Sequence, residues 1–482
     1  MSHACRFVPV PGPHPATRLL AAWLLLFSVS AGAATGFAAR FEQIKSGATP
    51  AQLYTFLYAM PKGADLHHHG AGCWRMEDLH RVATNAAAVT GARFGPRLRA
   101  GTCDDADKDW RKFVTISEAA WRALPECARE EYVELGRLTP TQRADYIKSL
   151  RLDAPGEGRE EFFEQIWPRL GALGRDLHVT GEMTVETMRR YGAEGVRYIE
   201  SQAIPDLYIG ADGLALDPEE AEARLSRRLA QPDAVATGVT LRFQFVVLRF
   251  LPTAERRVEQ AYEWVTRHRD RWVGINMAGR EDNDKGHPRR FLETYRRMRH
   301  QHSGVGLAIH AGEVDEPNPH MRDTLLLGAT RLGHGNNILT DEDLILHLRS
   351  GIAFIEINLV SNLLLEYVTD YAQHHFPEML RLGIPCGLST DDSGMWDSNM
   401  TDEFMTAITE FSLTWEEIIR MSRDSLKWSF ADPALKARLL AEFERDLAAF
   451  ERRFDTDDWA ARLREVKPVA YGFAQRRWGI QF

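Results

Sequence analysis

The chain has 482 residues with 44% hydrophobic side chains, enough for a large core and more than the ~250 residues of a bare eight-stranded α/β barrel. Its formal net charge of -9 gives no excess of Lys and Arg to meet phosphates, which argues against nucleic acid and for a small-molecule partner.

The first element reads as an export signal: Arg6 and Arg18 supply positive charge, Leu19–Val29 is almost wholly apolar, and Ala31-Gly32-Ala33 has the small-residue cleavage pattern. Residues 1–33 are therefore expected to be removed, leaving 34–482 as one barrel domain in a secreted or periplasmic protein. The apolar run is shorter than the ~20 residues that cross a bilayer, so no membrane partner is expected after cleavage. Cys5 leaves with the signal, and Cys73, Cys103, Cys127 and Cys386 remain. A Cys103–Cys127 disulfide suits an oxidising compartment, although four cysteines allow three pairings and also four free thiols.

Arg40–Tyr58 reads as a helix leading into the first strand. From about Asp65 the chain alternates short apolar runs with helical patterns, the rhythm of a parallel sheet with crossover helices. Eight strands are predicted: Ala64–His67, Val196–Ser201, Thr240–Leu248, Trp272–Met277, Gly306–His310, Thr330–His334, Ile352–Asn358 and Ile384–Thr390. Their apolar cores suit strands covered on both faces, and eight units in series predict a closed (β/α)8 TIM barrel. Residues 80–155, with Trp110 and Trp121, are expected to form an insertion between strands one and two, over or beside the barrel mouth. Trp415–Phe454 reads as two closing helices.

Polar residues collect at the predicted C-terminal strand ends, where side chains of a barrel converge. The first strand ends in His67-His68-His69, and residues two apart in an extended chain share a side, so His67 and His69 can hold one metal while His68 faces away. The fifth ends in His310-Ala311-Gly312-Glu313, the sixth in Gly333-His334-Gly335 and the eighth in Thr390-Asp391-Asp392. Imidazole and carboxylate ligands on a divalent cation lower the pKa of bound water, and such a site needs a separate proton carrier, for which Glu313 is the candidate.

MPKGADLHHH, HAGE, RLGHG and LSTDD, in this order, resemble the metal-dependent adenosine deaminase family, particularly its secreted growth-factor-related branch. The resemblance runs from about Met60 to Phe430. It implies one Zn2+ per subunit on His67, His69, His310 and Asp391, with His69 also bordering the substrate. It further implies that Glu313 protonates the purine N1, that His334 orients or deprotonates the water, that Asp392 contacts N7, and that Gly279 meets N3 through its backbone. The reaction so implied is hydrolysis of adenosine, and of 2′-deoxyadenosine, to inosine and ammonia. A carboxylic acid in a dry pocket stays protonated near neutrality, which predicts a raised pKa for Glu313. The resemblance leaves a homodimer open.

Two places depart from the family pattern. Family members often carry an Asp soon after the first histidine pair to contact ribose, where this chain has Gly70-Ala71-Gly72-Cys73-Trp74. The familiar Cys-Pro after the seventh strand is Asn358-Leu359, while the following Ser361-Asn362 match. Both departures touch substrate identity more than reaction type, so adenine or a modified nucleoside remains an alternative substrate, and a non-catalytic nucleoside-binding protein an alternative role. A two-metal hydrolase of the same fold would need a lysine at the end of strand four, which reads Ile275-Asn276-Met277-Ala278-Gly279. Deaminases acting on nucleic-acid bases use a Cys-x-x-Cys site, which this chain lacks.

Overall fold

The computed structural model describes residues 31–100, 112–154, 156–283 and 285–482. Two helices, Ala31–Gly47 and Pro50–Ala59, precede the first strand. The single helix expected over Arg40–Tyr58 is thus divided. Thr49 caps the second helix in a reciprocal box with Gln52, and Pro50 takes the first helical position, where its missing N–H costs nothing.

Eight parallel strands follow: β1 Gly63–His69, β2 Val196–Ala203, β3 Thr240–Leu248, β4 Trp272–Ala278, β5 Gly306–Ala311, β6 Arg331–His334, β7 Phe354–Ile357 and β8 Cys386–Leu388. Each pairs with the next in chain order. The ends meet just beyond β8, where Asp391 N–H donates to His67 O and His69 N–H to Asp391 O, both at 2.9 Å. The fold is a (β/α)8 TIM barrel. Strands β6 to β8 are shorter than the apolar runs that announced them, because their flanking residues turn into loops.

The N-terminal end of the barrel is plugged by Phe430, which follows the helix Trp415–Trp428. A side chain on Gly274 or Gly306 would strike the Phe430 ring, so these glycines make room for the plug. Arg331 stacks over the same ring at 3.9 Å. The second closing helix spans Pro433–Phe454 and starts at the Asp432 cap.

Between β1 and β2 lie the helix Met76–Val89, a two-stranded ribbon of Phe94–Pro96 and Thr115–Ser117, several short helices and the helix Leu177–Ala193. Their apolar side chains, Trp74, Phe162 and Leu170 among them, form a second core with Val360, Leu365, Met395 and Trp396 from the loops after β7 and β8. The segment therefore packs at the mouth where the strands end. Cys127 is disulfide-bonded, Cys73 and Cys386 are free and buried, and Cys103 and Trp110 lie outside the described residues, as does the export signal through Ser30. Among the described residues no helix is long and apolar enough to cross a membrane.

Candidate active site

Alternation along β1 turns His67 and His69 into the barrel mouth, while His68 turns outward and places Nδ1 3.1 Å from Ser201 Oγ. His310 arrives from β5 and Asp391 from the loop after β8. His67 Nε2 lies 3.0 Å from His310 Nε2, and His69 Nε2 lies 3.2 Å from the same atom. Asp391 Oδ1 is 3.3 Å from His67 Nε2 and 3.1 Å from His69 Nε2. A tetrahedron drawn around an ion with bonds of ~2.0–2.1 Å has edges of about 3.3–3.4 Å, so the donor set fits a divalent cation such as zinc.

These donors are held from behind. His67 Nδ1 sits 2.7 Å from Glu356 Oε2, and the other oxygen of Glu356 accepts from Arg331 Nε at 2.6 Å. Arg331 also pairs with Glu200 at 2.8 Å, and all three charged residues are fully buried. Burial alone would raise the Glu356 carboxyl, but Arg331 and His67 outweigh it and hold it below its ordinary value, so it stays anionic. A carboxylate behind a histidine ligand fixes its tautomer and raises its basicity. Glu356→Gln is therefore expected to weaken metal affinity about 10–100-fold in a competition titration with a chromophoric chelator. Wild-type affinity would mean that Glu356 serves Arg331 alone. Ser361 donates to Asp391 Oδ2 at 2.5 Å. Gly333 leaves room for the His67 ring, which any side chain there would strike.

Glu313 and His334 stand beside these donors, with Glu313 Oε2 3.9 Å from His334 Nε2. Burial, then the Asp391 and Glu281 carboxylates, push the Glu313 carboxyl well above its ordinary value. Its loop is anchored by Glu281, whose oxygens accept from the Gly312 and Glu313 amides at 3.2 Å each. Burial raises Glu281, but Arg249 and His320 overcome it and bring it down to about 2. Burial pulls His334 down to about 4, so it is neutral near pH 7. Asn362 donates to Asn336 at 2.8 Å, which turns its oxygen toward His334 Nδ1 at 3.1 Å and leaves His334 Nε2 as an open acceptor. Asn358 approaches the same Nδ1 at 3.3 Å. The unusual turn after it is held by Glu403, which accepts from the Leu359 and Val360 amides at 2.8 and 3.2 Å.

Asp391 (φ 59°) and His334 (φ 68°) both occupy the left-handed region, strain of roughly 1–3 kcal/mol each that the surrounding contacts must overcome. Asp392 is buried with Oδ1 unpartnered, and Gly72 must lack a side chain because a Cβ would overlap that oxygen. Gly279 follows β4 at φ 105°. A cavity of about 650 Å³ is lined by His69, His310, Asp391, Glu313, Asp392 and Gly279 and walled by Trp74, Phe162, Trp167 and Tyr208. The structure thus gathers every residue singled out in the sequence around one cavity, with His67 and His334 against its donor end. Reasoning from sequence overlooked Glu356 and Glu281. The available signal for Glu356 was a charged residue inside a strand covered on both faces.

A parallel barrel with three imidazoles and a carboxylate converging beside a buried acid has the build of a metal-dependent hydrolase. The chain belongs to the adenosine deaminase family, whose description, "Adenosine deaminase", matches residues 172–446. That match starts inside the long segment between β1 and β2 and so leaves out the histidine run. An adenosine deaminase-like protein of Drosophila pseudoobscura pseudoobscura is 31% identical over 191 residues, 40% of this chain and 54% of its own length. An adenine deaminase of Rhodospirillum rubrum is 28% identical over 342 residues, 68% of this chain and 98% of its own. The solved structure of an Arabidopsis N6-mAMP deaminase shares the fold, with a TM-score of 0.59, 18% identity, and coverage of 81% of this chain and 99% of its own. The relatives are aminopurine deaminases with different named substrates.

Proposed function

We propose that the protein removes the 6-amino group of adenosine and 2′-deoxyadenosine by hydrolysis, releasing inosine or deoxyinosine and ammonia, with one Zn2+ per subunit on His67, His69, His310 and Asp391. The observation that carries this is the placement of an elevated, buried acid, Glu313, and a neutral base, His334, 3.9 Å apart and beside one four-donor site.

A divalent cation held by these four side chains would lower the pKa of bound water toward neutrality. Glu313, kept protonated, donates to the purine N1 and draws electrons from C6 as the nucleophile adds there. His334 accepts one water proton at its open Nε2 and passes it toward the departing amine, and the remaining hydroxyl proton returns to Glu313 as the C6 carbonyl forms and ammonia leaves. Asp392, its carboxyl raised by burial and by Asp391 and Glu313, holds a proton to donate to N7. The Gly279 backbone meets N3, and the aromatic walls exclude bulk water from the reacting edge.

A second reading, deamination of adenine or of a modified nucleoside, is favoured by the segment Gly70-Ala71-Gly72-Cys73-Trp74, which lacks the acidic ribose contact expected after the histidine pair, and by the similarity to an adenine deaminase along nearly its whole length. Ultraviolet absorbance of the purified protein with adenosine, 2′-deoxyadenosine, adenine and AMP, with and without chelator, separates these readings. Chelator-sensitive conversion of adenosine with ammonia release is the expected result. Conversion of adenine alone would replace the main reading with the second, and silence on all four would remove adenosine and adenine and leave a modified purine or a binding role. We also propose export and cleavage near Ala33, and kinship with the secreted branch, on the Arg6-to-Ala33 pattern. The N-terminal sequence of the mature chain checks the cleavage.

A further inference from the structure

Two polar side chains in the cavity lining that the proposed reaction does not use are without a hydrogen-bond partner among the described residues. Gln202, near the end of β2, is the register partner of His69, is 4% exposed, and has neither its amide nitrogen nor its amide oxygen in a hydrogen bond. Thr180, on the helix Leu177–Ala193, is 8% exposed with an unpartnered hydroxyl. Buried polar groups without partners cost stability and persist where a ligand completes them.

The purine reading, on which this inference rests, commits the other polar groups. With C6 and N1 at the donors and Glu313, N7 at Asp392 and N3 at Gly279, the N9 position points away from all of them. The base alone leaves most of the cavity of about 650 Å³ unfilled. Gly70-Ala71-Gly72, the segment after His69, offers no polar side-chain atom to what N9 carries. A primary amide presents a donor and an acceptor together, which matches a hydroxyl that both donates and accepts. A phosphate fits less well. The lining sets Glu164, Glu313, Asp391 and Asp392 against Arg280 and Lys285, and Arg280 is committed to Asp282 and Glu160 at 2.6 and 2.7 Å.

We infer that Gln202, assisted by Thr180, is a specificity residue that hydrogen-bonds a hydroxylated sugar on N9, so that the site selects nucleosides over free bases and nucleotides. The test is calorimetric binding of inosine and hypoxanthine to the metal-loaded full chain, wild type and Gln202→Leu, beside kcat/KM for adenosine, adenine and AMP. Wild type should bind inosine more tightly than hypoxanthine, and Gln202→Leu should shrink that ratio about 10–100-fold. The adenosine-to-adenine ratio of kcat/KM should fall in parallel. The variant should also melt no lower than wild type, since the substitution removes an unsatisfied amide. An unchanged inosine-to-hypoxanthine ratio overturns the inference, as does an equal loss on both ligands with a lowered melting temperature, the mark of a structural role. Preference for AMP in the wild type overturns it too. If adenine is deaminated while inosine binds no better than hypoxanthine, the role of Gln202 falls and purine deamination stands. Selective inosine binding without turnover leaves Gln202 standing and removes the deaminase.

Discussion

Glu313→Gln is expected to lower kcat about 10²–10⁴-fold while the metal content and the affinity for purine stay near wild type. The amide keeps the shape of the side chain and a donor toward N1 but has no proton to transfer. The loop should not move, because its Gly312 and Glu313 amides are held by Glu281 and not by the Glu313 side chain. The pH profile gives an independent reading. In the proposed reaction Glu313 is the acid, so its contribution is full below its pKa and is lost as pH rises through it. Since burial, Asp391 and Glu281 raise that pKa well above the ordinary carboxylate value, the alkaline fall should lie correspondingly high. In Glu313→Gln the residual rate should lack this fall. A variant that turns over at the wild-type rate would remove Glu313 as the proton donor.

Much of this arrangement was legible before the fold was seen, for definite reasons. A barrel strand buried on both faces must be a short apolar run, and the polar residue that ends it must lie at the mouth, so His310, His334 and Asp391 could be placed from LAIH, RLGH and LSTDD alone. The alternation that separates His67 and His69 from His68 is equally local. What escaped depends on neighbours distant in sequence. Glu200, Arg331 and Glu356 come together only through the register of β2, β6 and β7 around the plug of Phe430. The Gln202 amide is unremarkable in VRYIESQA and becomes informative only when every nearby partner proves to be absent. The break at Thr49 was a different kind of miss: the Thr-Pro-x-Gln cap was readable, but the apolar pattern on either side masked it.

His310→Ala should abolish metal binding and turnover together. His310 Nε2 is the hub of the donor set, 3.0 Å from His67 Nε2 and 3.2 Å from His69 Nε2, so its removal opens the set at its centre. Its backbone is fixed separately, with the carbonyl accepting from Arg249 Nη2 at 2.7 Å, so truncating the ring should spare the strand. Without a cation, the converging lone pairs of three imidazoles and the Asp391 oxygen repel or must capture protons, and a bound divalent ion relieves this. A ligand that binds only the folded state stabilises it by about 4 kcal/mol at a thousandfold excess over its Kd. Zinc should therefore raise the melting temperature of chelator-stripped wild-type protein by several degrees and leave that of His310→Ala almost unchanged. Elemental analysis should find about one zinc per wild-type chain and far less in the variant. Stoichiometric zinc with full activity in His310→Ala would eliminate the proposed ligand set. Loss of activity with zinc retained would instead make His310 a substrate contact and shift the ligands to His67, His334 and Asp391, whose donor atoms also converge.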